Sequence, residues 1–258
     1  MGKSGKKRIL LKIGSNVLTK ETNQISRGKI EDIARQIAYL KDDYEFVIVS
    51  SGAIVVAKQF VNLESNGKKI KVKQALASIG QPHLMRIFQE NFRELGLLTS
   101  QCLLSYSDFE KKESKTNIQN TINVLLENNY IPIINENDTV ATDEIKFGDN
   151  DKLSALTAVL LKVDLLVIAT NTSGIYTKES IDAYGKKTIK ETSDVSSLRS
   201  QIKTDISFHG TGGMTTKIDA AEIAQKGNIE TWILNGLNDN FVVDAIQNKI
   251  AFTKISTK

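Results

Sequence analysis

An α/β fold with a mostly parallel central sheet is predicted by three features of this sequence. Short apolar runs alternate with longer segments of helical period. One of those runs, Leu165–Thr170, is apolar almost throughout, as expected of a strand covered on both faces. Polar or glycine-rich segments follow the runs, at Gly14-Ser15, Ser51-Gly52, Asn135–Asp138 and Asn171–Gly174. Parallel strands joined by right-handed crossovers carry such segments to a single rim beyond their carboxyl ends, where ligands gather.

The elements follow in order. Arg8–Ile13 reads as a strand that Gly14-Ser15 ends. Ser26 caps a helix over about Arg27–Leu40, in which Ile30, Ile33, Ala34 and Ile37 recur at helical spacing. Phe46–Ser50 is a second strand, closed by Ser51-Gly52. A long helical stretch covers Val72–Leu95, and Pro82 breaks or bends it. Leu98–Leu104 is a strand, Thr116–Glu127 a helix, and Ile131–Asn135 a strand entering the polar loop Glu136–Gly148. Asp151–Val163 is a helix. Asn171–Ser207 reads as an elaboration with a hairpin around Tyr184-Gly185. Thr231–Leu234 is a strand, Phe241–Asn248 a short helix, and Ile250–Thr253 a final edge strand.

Composition excludes several classes. The 258 residues suit one large or two small domains, and no linker interrupts them. No apolar span approaches the ~20 residues of a membrane helix, and the amino terminus lacks the apolar segment of a signal peptide. Cys102 is the sole cysteine, so no internal disulfide forms and a cytoplasmic setting is expected. It sits in an apolar run and reads as a core residue. The net charge of +4 is spread over scattered lysines, and aromatics make up 6%, so the basic stripe and stacking platform of a nucleic-acid binder are missing. His83 and His209 have no partner at metal-ligand spacing, which argues against zinc.

Five segments carry chemistry. In Gly210-Thr211-Gly212-Gly213-Met214-Thr215-Thr216-Lys217, glycines let several N–H groups converge beside the start of a helix. That is either an anion site, to which Lys217 adds a charge, or a tight loop–helix junction. It is neither a Walker A loop nor a dinucleotide fingerprint. Lys12 stands at the end of a strand beside Gly14, either solvated or facing phosphate. Ser50-Ser51-Gly52-Ala53 is a strand-to-helix turn that either caps the helix or takes a carboxylate. Asn135-Glu136-Asn137-Asp138-Thr139 either forms an Asx turn or presents Asp138 to an ammonium group. Asp149, Asn150 and Asp151 crowd the start of a helix, where one is a cap and the others could orient lysines or contact Mg²⁺.

Taken together, Lys12-Ile13-Gly14-Ser15, Val49–Ile54, Ile134–Asp138, Phe147–Ala155 and Gly210–Lys217 resemble the amino acid kinase family, and within it members that act on L-glutamate. The resemblance spans nearly the whole chain. It implies an open αβα sandwich with a central sheet of about eight strands, and transfer of phosphate from ATP, with Mg²⁺, to the side-chain carboxylate of L-glutamate. It assigns Ser51, Gly52, Asp138 and Asn150 to glutamate. Lys12, Gly14, Ser15, Thr170, Asn171 and Thr211, Gly212, Gly213, Met214, Thr215, Thr216 and Lys217 are assigned to ATP. Lys12, Lys217 and Asp149 would be catalytic, with Asp149 holding both lysines, and no protein metal site is implied. The resemblance further implies a homo-oligomer, dimer or tetramer, and no nucleic-acid or membrane partner. Many family members carry Asp where Asn171 stands, so the nucleotide contact there is altered. Many also carry a C-terminal PUA domain. A single kinase domain over 1–258, with 1–7 as a disordered lead-in, is the expectation here. Family members acting on N-acetylglutamate, aspartate, carbamate or a nucleoside monophosphate are the nearest alternatives, and a non-catalytic sensor is a more distant one.

Overall fold

A computed structural model of the chain describes residues 5–63, 70–140, 150–176, 187–201 and 213–257. The first half runs β1 (Lys7–Ile13), α1 (Ser15–Leu18), α2 (Arg27–Leu40), β2 (Tyr44–Val49), α3 (Ala53–Ala57), α4 (Ile70–Arg93), β3 (Leu98–Leu104), a 3₁₀ turn (Tyr106–Phe109), α5 (Lys112–Glu127) and β4 (Tyr130–Glu136). The second half runs α6 (Asp151–Leu161), β5 (Leu165–Thr170), β6 (Glu191–Thr192), α7 (Val195–Gln201), α8 (Met214–Lys226), β7 (Glu230–Asn235), α9 (Phe241–Ile246) and β8 (Thr253–Ile255).

Among the described residues the strands form one eight-stranded sheet in the order β3-β4-β2-β1-β5-β7-β8-β6. All neighbours are parallel except β7 and β8. Strand order reverses at β1, which pairs with β2 on one side and β5 on the other. Such a switch point opens a crevice beyond the carboxyl ends of the strands. Lys12 lies there, level with Val49 of β2 and Ile168 of β5.

Both faces of the sheet are covered, because alternate residues of β1 point to opposite sides. Ile9, Leu11 and Ile13 join a core with α1–α4 and α9. Leu10 joins a second core with α5–α8. The expected αβα sandwich is therefore present. Among the described residues, no helix is long and apolar enough to cross a membrane.

Three local readings change. Pro82 does not break α4, which runs unbroken from Ile70 to Arg93. Leu76, Leu84, Met85, Phe88 and Phe92 bury the helix on both sides of the proline, and Pro82 itself is exposed. The last strand is Thr253–Ile255 and is internal, hydrogen-bonded antiparallel to β7 and parallel to β6. The edge on that side is β6, inside the segment read as an elaboration. There Tyr176 bridges Thr188 antiparallel, flanking Tyr184-Gly185, which lie outside the described residues. Cys102 is half-buried because β3 is the opposite edge strand, and desolvation raises its thiol pKa.

Two glycines shape the rim. Gly52 caps α3 with φ +99°, a left-handed conformation that suits glycine. Gly80 in α4 packs against α3 so closely that a Cβ would lie 1.8 Å from the Ala53 carbonyl oxygen. No rotamer change relieves a backbone clash, so Gly80→Ala must push the two helices apart. Overpacking of this kind costs about 1–3 kcal/mol. Thermal or urea unfolding of Gly80→Ala should show the loss, and a midpoint equal to the parent's would contradict it.

Candidate active site

The centre of the rim is a carboxylate shared by two lysines. Lys12 Nζ lies 2.5 Å from Asp151 Oδ1, and Lys217 Nζ lies 3.0 Å from Asp151 Oδ2. Three elements supply them: the carboxyl end of β1 and the first turns of α6 and α8. All three side chains are buried, with exposures of 2% for Lys12, 0% for Asp151 and 8% for Lys217. Thr216 Oγ1 also donates to Asp151 Oδ2, at 2.9 Å. Charges removed from water in this way need close partners, and Asp151 bonds both ammonium groups directly. Asp149, expected in this role, lies outside the described residues, as do Thr211 and Gly212 of the glycine turn.

Gly213 caps α8, a helix of 13 residues beginning at Met214. Its first-turn N–H groups and the positive end of its dipole favour an anion. Thr215 is exposed on that turn, while Met214 packs partly into the second core. Gly14 stands across the rim, where a Cβ would lie 3.7 Å from Lys12 Nζ, and it precedes Ser15 at the start of α1. Thr170 ends β5 and donates through Oγ1 to Asn171 Oδ1, at 3.4 Å. Asn171 Nδ2 in turn donates to Glu21 Oε1, at 3.0 Å. An aspartate at 171 would set two carboxylates against each other here. The amide makes a hydrogen bond instead.

On the other side of Lys12 the rim carries polar side chains around β2 and β4. Ser51 Oγ donates to the Ile13 carbonyl at 3.3 Å, tying the turn before Gly52 to the end of β1. Asn150 precedes α6 but makes no side-chain cap bond. Its amide donates instead to the Ser50 carbonyl at 2.5 Å and to Asn135 Oδ1 at 2.7 Å. Asp138 lies just beyond β4 and lines a cleft of about 150 Å³ with Gln81, Pro82, Glu136 and Asn137. Burial pushes its carboxyl pKa up to about 6.

The described site residues predicted from sequence thus fall along one rim, with Lys12 in the middle. Sequence reasoning gave Asp151 no separate role and missed Asn135, which is 3% exposed and joins β4 to α4 and α6. A signal for Asp151 was available. It shares a helical stripe with Ser154, Ala155 and Ala158, all buried. A carboxylate on the buried stripe of an apolar helix implies a buried cation opposite it.

A profile of the amino acid kinase family matches residues 7–235. Glutamate 5-kinase of Pelagibacter ubique is 40% identical over 233 residues, covering 90% of this chain and 63% of that protein. The chain thus spans less than two-thirds of the length of that relative. Glutamate 5-kinase of Alkaliphilus oremlandii is 36% identical over 249 residues, covering 96% of this chain and 95% of the relative. Carbamate kinase from Giardia lamblia, solved with AMP-PNP, superposes with a TM-score of 0.69 at 15% identity over 99% of this chain and all of that one. At that identity the likeness concerns the fold alone. Profile, full-length relative and architecture agree: the chain belongs to the amino acid kinase family.

Proposed function

We propose that this chain transfers the γ-phosphoryl group of ATP to the side-chain carboxylate of L-glutamate, giving L-glutamyl 5-phosphate for proline biosynthesis. The observation that carries the proposal is the Lys12–Asp151–Lys217 bridge at the sheet's switch point. Its glutamate relatives, one matched almost end to end, support the choice of acceptor.

The order of strands sets the order of substrates. Nucleotide phosphates lie over Gly14, Ser15 and the start of α8, with the base side toward Thr170 and Asn171. The amino acid lies over β2 and β4, its reacting carboxylate at Ser51-Gly52 and its ammonium at Asp138, with Asn150 beside it. Lys12 stands between them. A glutamate side chain is ionised at neutral pH, so no general base is required. A carboxylate oxygen forms the new bond to the γ-phosphorus as the bond to the β,γ-bridging oxygen breaks, and ADP leaves with that electron pair. The obstacle is the approach of one anion to another. An ammonium group has three N–H donors, enough to hold Asp151 and phosphate oxygens together. Lys12 and Lys217 would thus meet charge developing on the phosphoryl oxygens.

Magnesium usually takes one or two protein carboxylates plus phosphate oxygens and water. Both Asp151 oxygens are engaged by lysine ammonium groups. Magnesium therefore fits as the counter-ion of the nucleotide phosphates, whose charge it neutralises.

ATP consumption should be measured against a panel of acidic amino acids, with hydroxylamine trapping any acyl phosphate. A hydroxamate with L-glutamate, and none with N-acetylglutamate, supports the proposal. ATP turnover that is indifferent to L-glutamate refutes it. Asp138 adds a pH signature. Its carboxyl titrates near 6 and binds an ammonium only when ionised. Lowering the pH from 7.5 to 5.5 should therefore raise the KM for glutamate while the KM for ATP holds. Asp138→Ala should raise the KM for glutamate at every pH and abolish this dependence. A KM for glutamate that falls on acidification contradicts the assignment.

A further inference from the structure

We infer that Gln81 recognises the α-carboxylate of the amino acid substrate, an inference that rests on the reading of the site given above. The argument begins with amide orientation. The Glu136 backbone N–H donates to Asn135 Oδ1 at 2.9 Å, and a backbone donor cannot reverse its polarity. Asn135 Nδ2 must therefore face α4, where it donates to Gln81 Oε1 at 2.8 Å. At the other end, the Ser50 carbonyl can only accept, so Asn150 directs Nδ2 to it and to Asn135 Oδ1. Backbone groups at both ends settle every amide in this chain of contacts.

One consequence is that Gln81 Nε2 points away from Asn135 with its two N–H donors. Gln81 is 8% exposed and borders the Asp138 cleft, and Nε2 has no hydrogen-bond partner among the described residues. A buried side-chain donor left in that state is rare and calls for a reason. At about 150 Å³ the cleft is smaller than the ~300–1,000 Å³ usual for larger ligands, and suits the head of an amino acid. That head carries an ammonium and a carboxylate on one carbon. Asp138 answers the first and the Gln81 amide the second. The close packing of Gly80 on Ala53 holds this turn of α4 against the Ser51-Gly52 turn.

The test uses the full chain, one substitution and one comparison of ligands. Gln81→Glu keeps an oxygen for Asn135 but replaces the N–H donor with a second acceptor. A lost hydrogen bond to a charged group should raise the KM for L-glutamate about 10- to 100-fold, with the KM for ATP unchanged. A purely structural role would instead lower the thermal midpoint and disturb both substrates alike. A second measurement needs no variant. 4-Aminobutyrate is glutamate without its α-carboxylate, and it should raise the thermal midpoint of the wild-type chain only at about tenfold or greater concentration than L-glutamate. Equal responses to the two ligands overturn the inference, as does a Gln81→Glu enzyme with an unchanged KM for glutamate. A wild-type chain that neither binds nor phosphorylates L-glutamate sinks the kinase reading itself. Normal glutamate turnover with an indifferent Gln81→Glu sinks this inference alone.

Discussion

Replacing Asp151 with asparagine is expected to cost this protein a large share of its stability. The substitution keeps the shape and removes the charge. Lys12 and Lys217 would then face each other, both almost wholly buried, without the carboxylate that now bonds each of them. Removing one partner of a buried ion pair typically costs about 3–5 kcal/mol. Here the removed partner serves two cations, so the upper part of that range is expected. The variant can relieve the repulsion by releasing a proton from a lysine. Its buried lysines would then hold fewer protons than those of the unfolded chain, whose pKa is about 10.4. Stability rises with pH wherever the unfolded state binds more protons. The deficit relative to wild type should therefore shrink as the pH is raised from 7 toward 10. ATP should also stabilise the variant more than the parent, because its phosphates restore negative charge beside the lysines. Asp219→Asn is a suitable control. Asp219 pairs with Arg199 at the surface, where an ion pair contributes about 0–1 kcal/mol. Denaturant titrations of both variants at pH 7 and 9 would decide the matter. If the two lose stability equally, Asp151 does not hold a buried charge cluster.

Much of this architecture could be read in the sequence because its signals are long or repeated. The strands β1, β2, β4, β5 and β7 are apolar runs followed by polar punctuation, and α2 shows both its cap and its stripe. Ser26 accepts from the Lys29 backbone N–H at 3.2 Å, as the cap reading requires. Features that escaped have short or relational causes. β6 and β8 span only two and three residues, too few for a period to show, and their pairing depends on where the sheet ends rather than on local pattern. A break at Pro82 does not occur because a helix-breaking preference is a local quantity, whereas α4 is held by apolar contacts along its length. Sorting Asp149, Asn150 and Asp151 was harder still. Successive helical residues differ by about 100° in direction, so moving the helix start by one residue exchanges cap, core and ligand roles. The amide contacts of Asn135 leave no trace in composition. They exist only because β2, β4, α4 and the start of α6 meet at one rim.

Lys217→Ala should show the reverse profile, a large loss of rate with a modest loss of stability. Without Lys217, Asp151 still has Lys12 at 2.5 Å, so a one-to-one buried pair survives. What disappears is a cation at the first turn of α8, where transferring phosphate would lie. Removing one oriented donor to developing charge costs about 3 kcal/mol of transition-state stabilisation, or ~10²-fold in kcat. The KM for glutamate should barely change, because the proposed reading gives Lys217 to the nucleotide and it does not line the Asp138 cleft. Lys217→Arg should recover little of the rate. A planar guanidinium cannot reproduce the compact ammonium that bonds Asp151 at 3.0 Å within a buried site. Paired with Asp151→Asn, the experiment separates two roles that one static picture merges. Asp151 is expected to control stability and its pH dependence, and Lys217 to control kcat. Near-normal kcat in Lys217→Ala would remove this lysine from the chemistry and leave its ion pair a structural one.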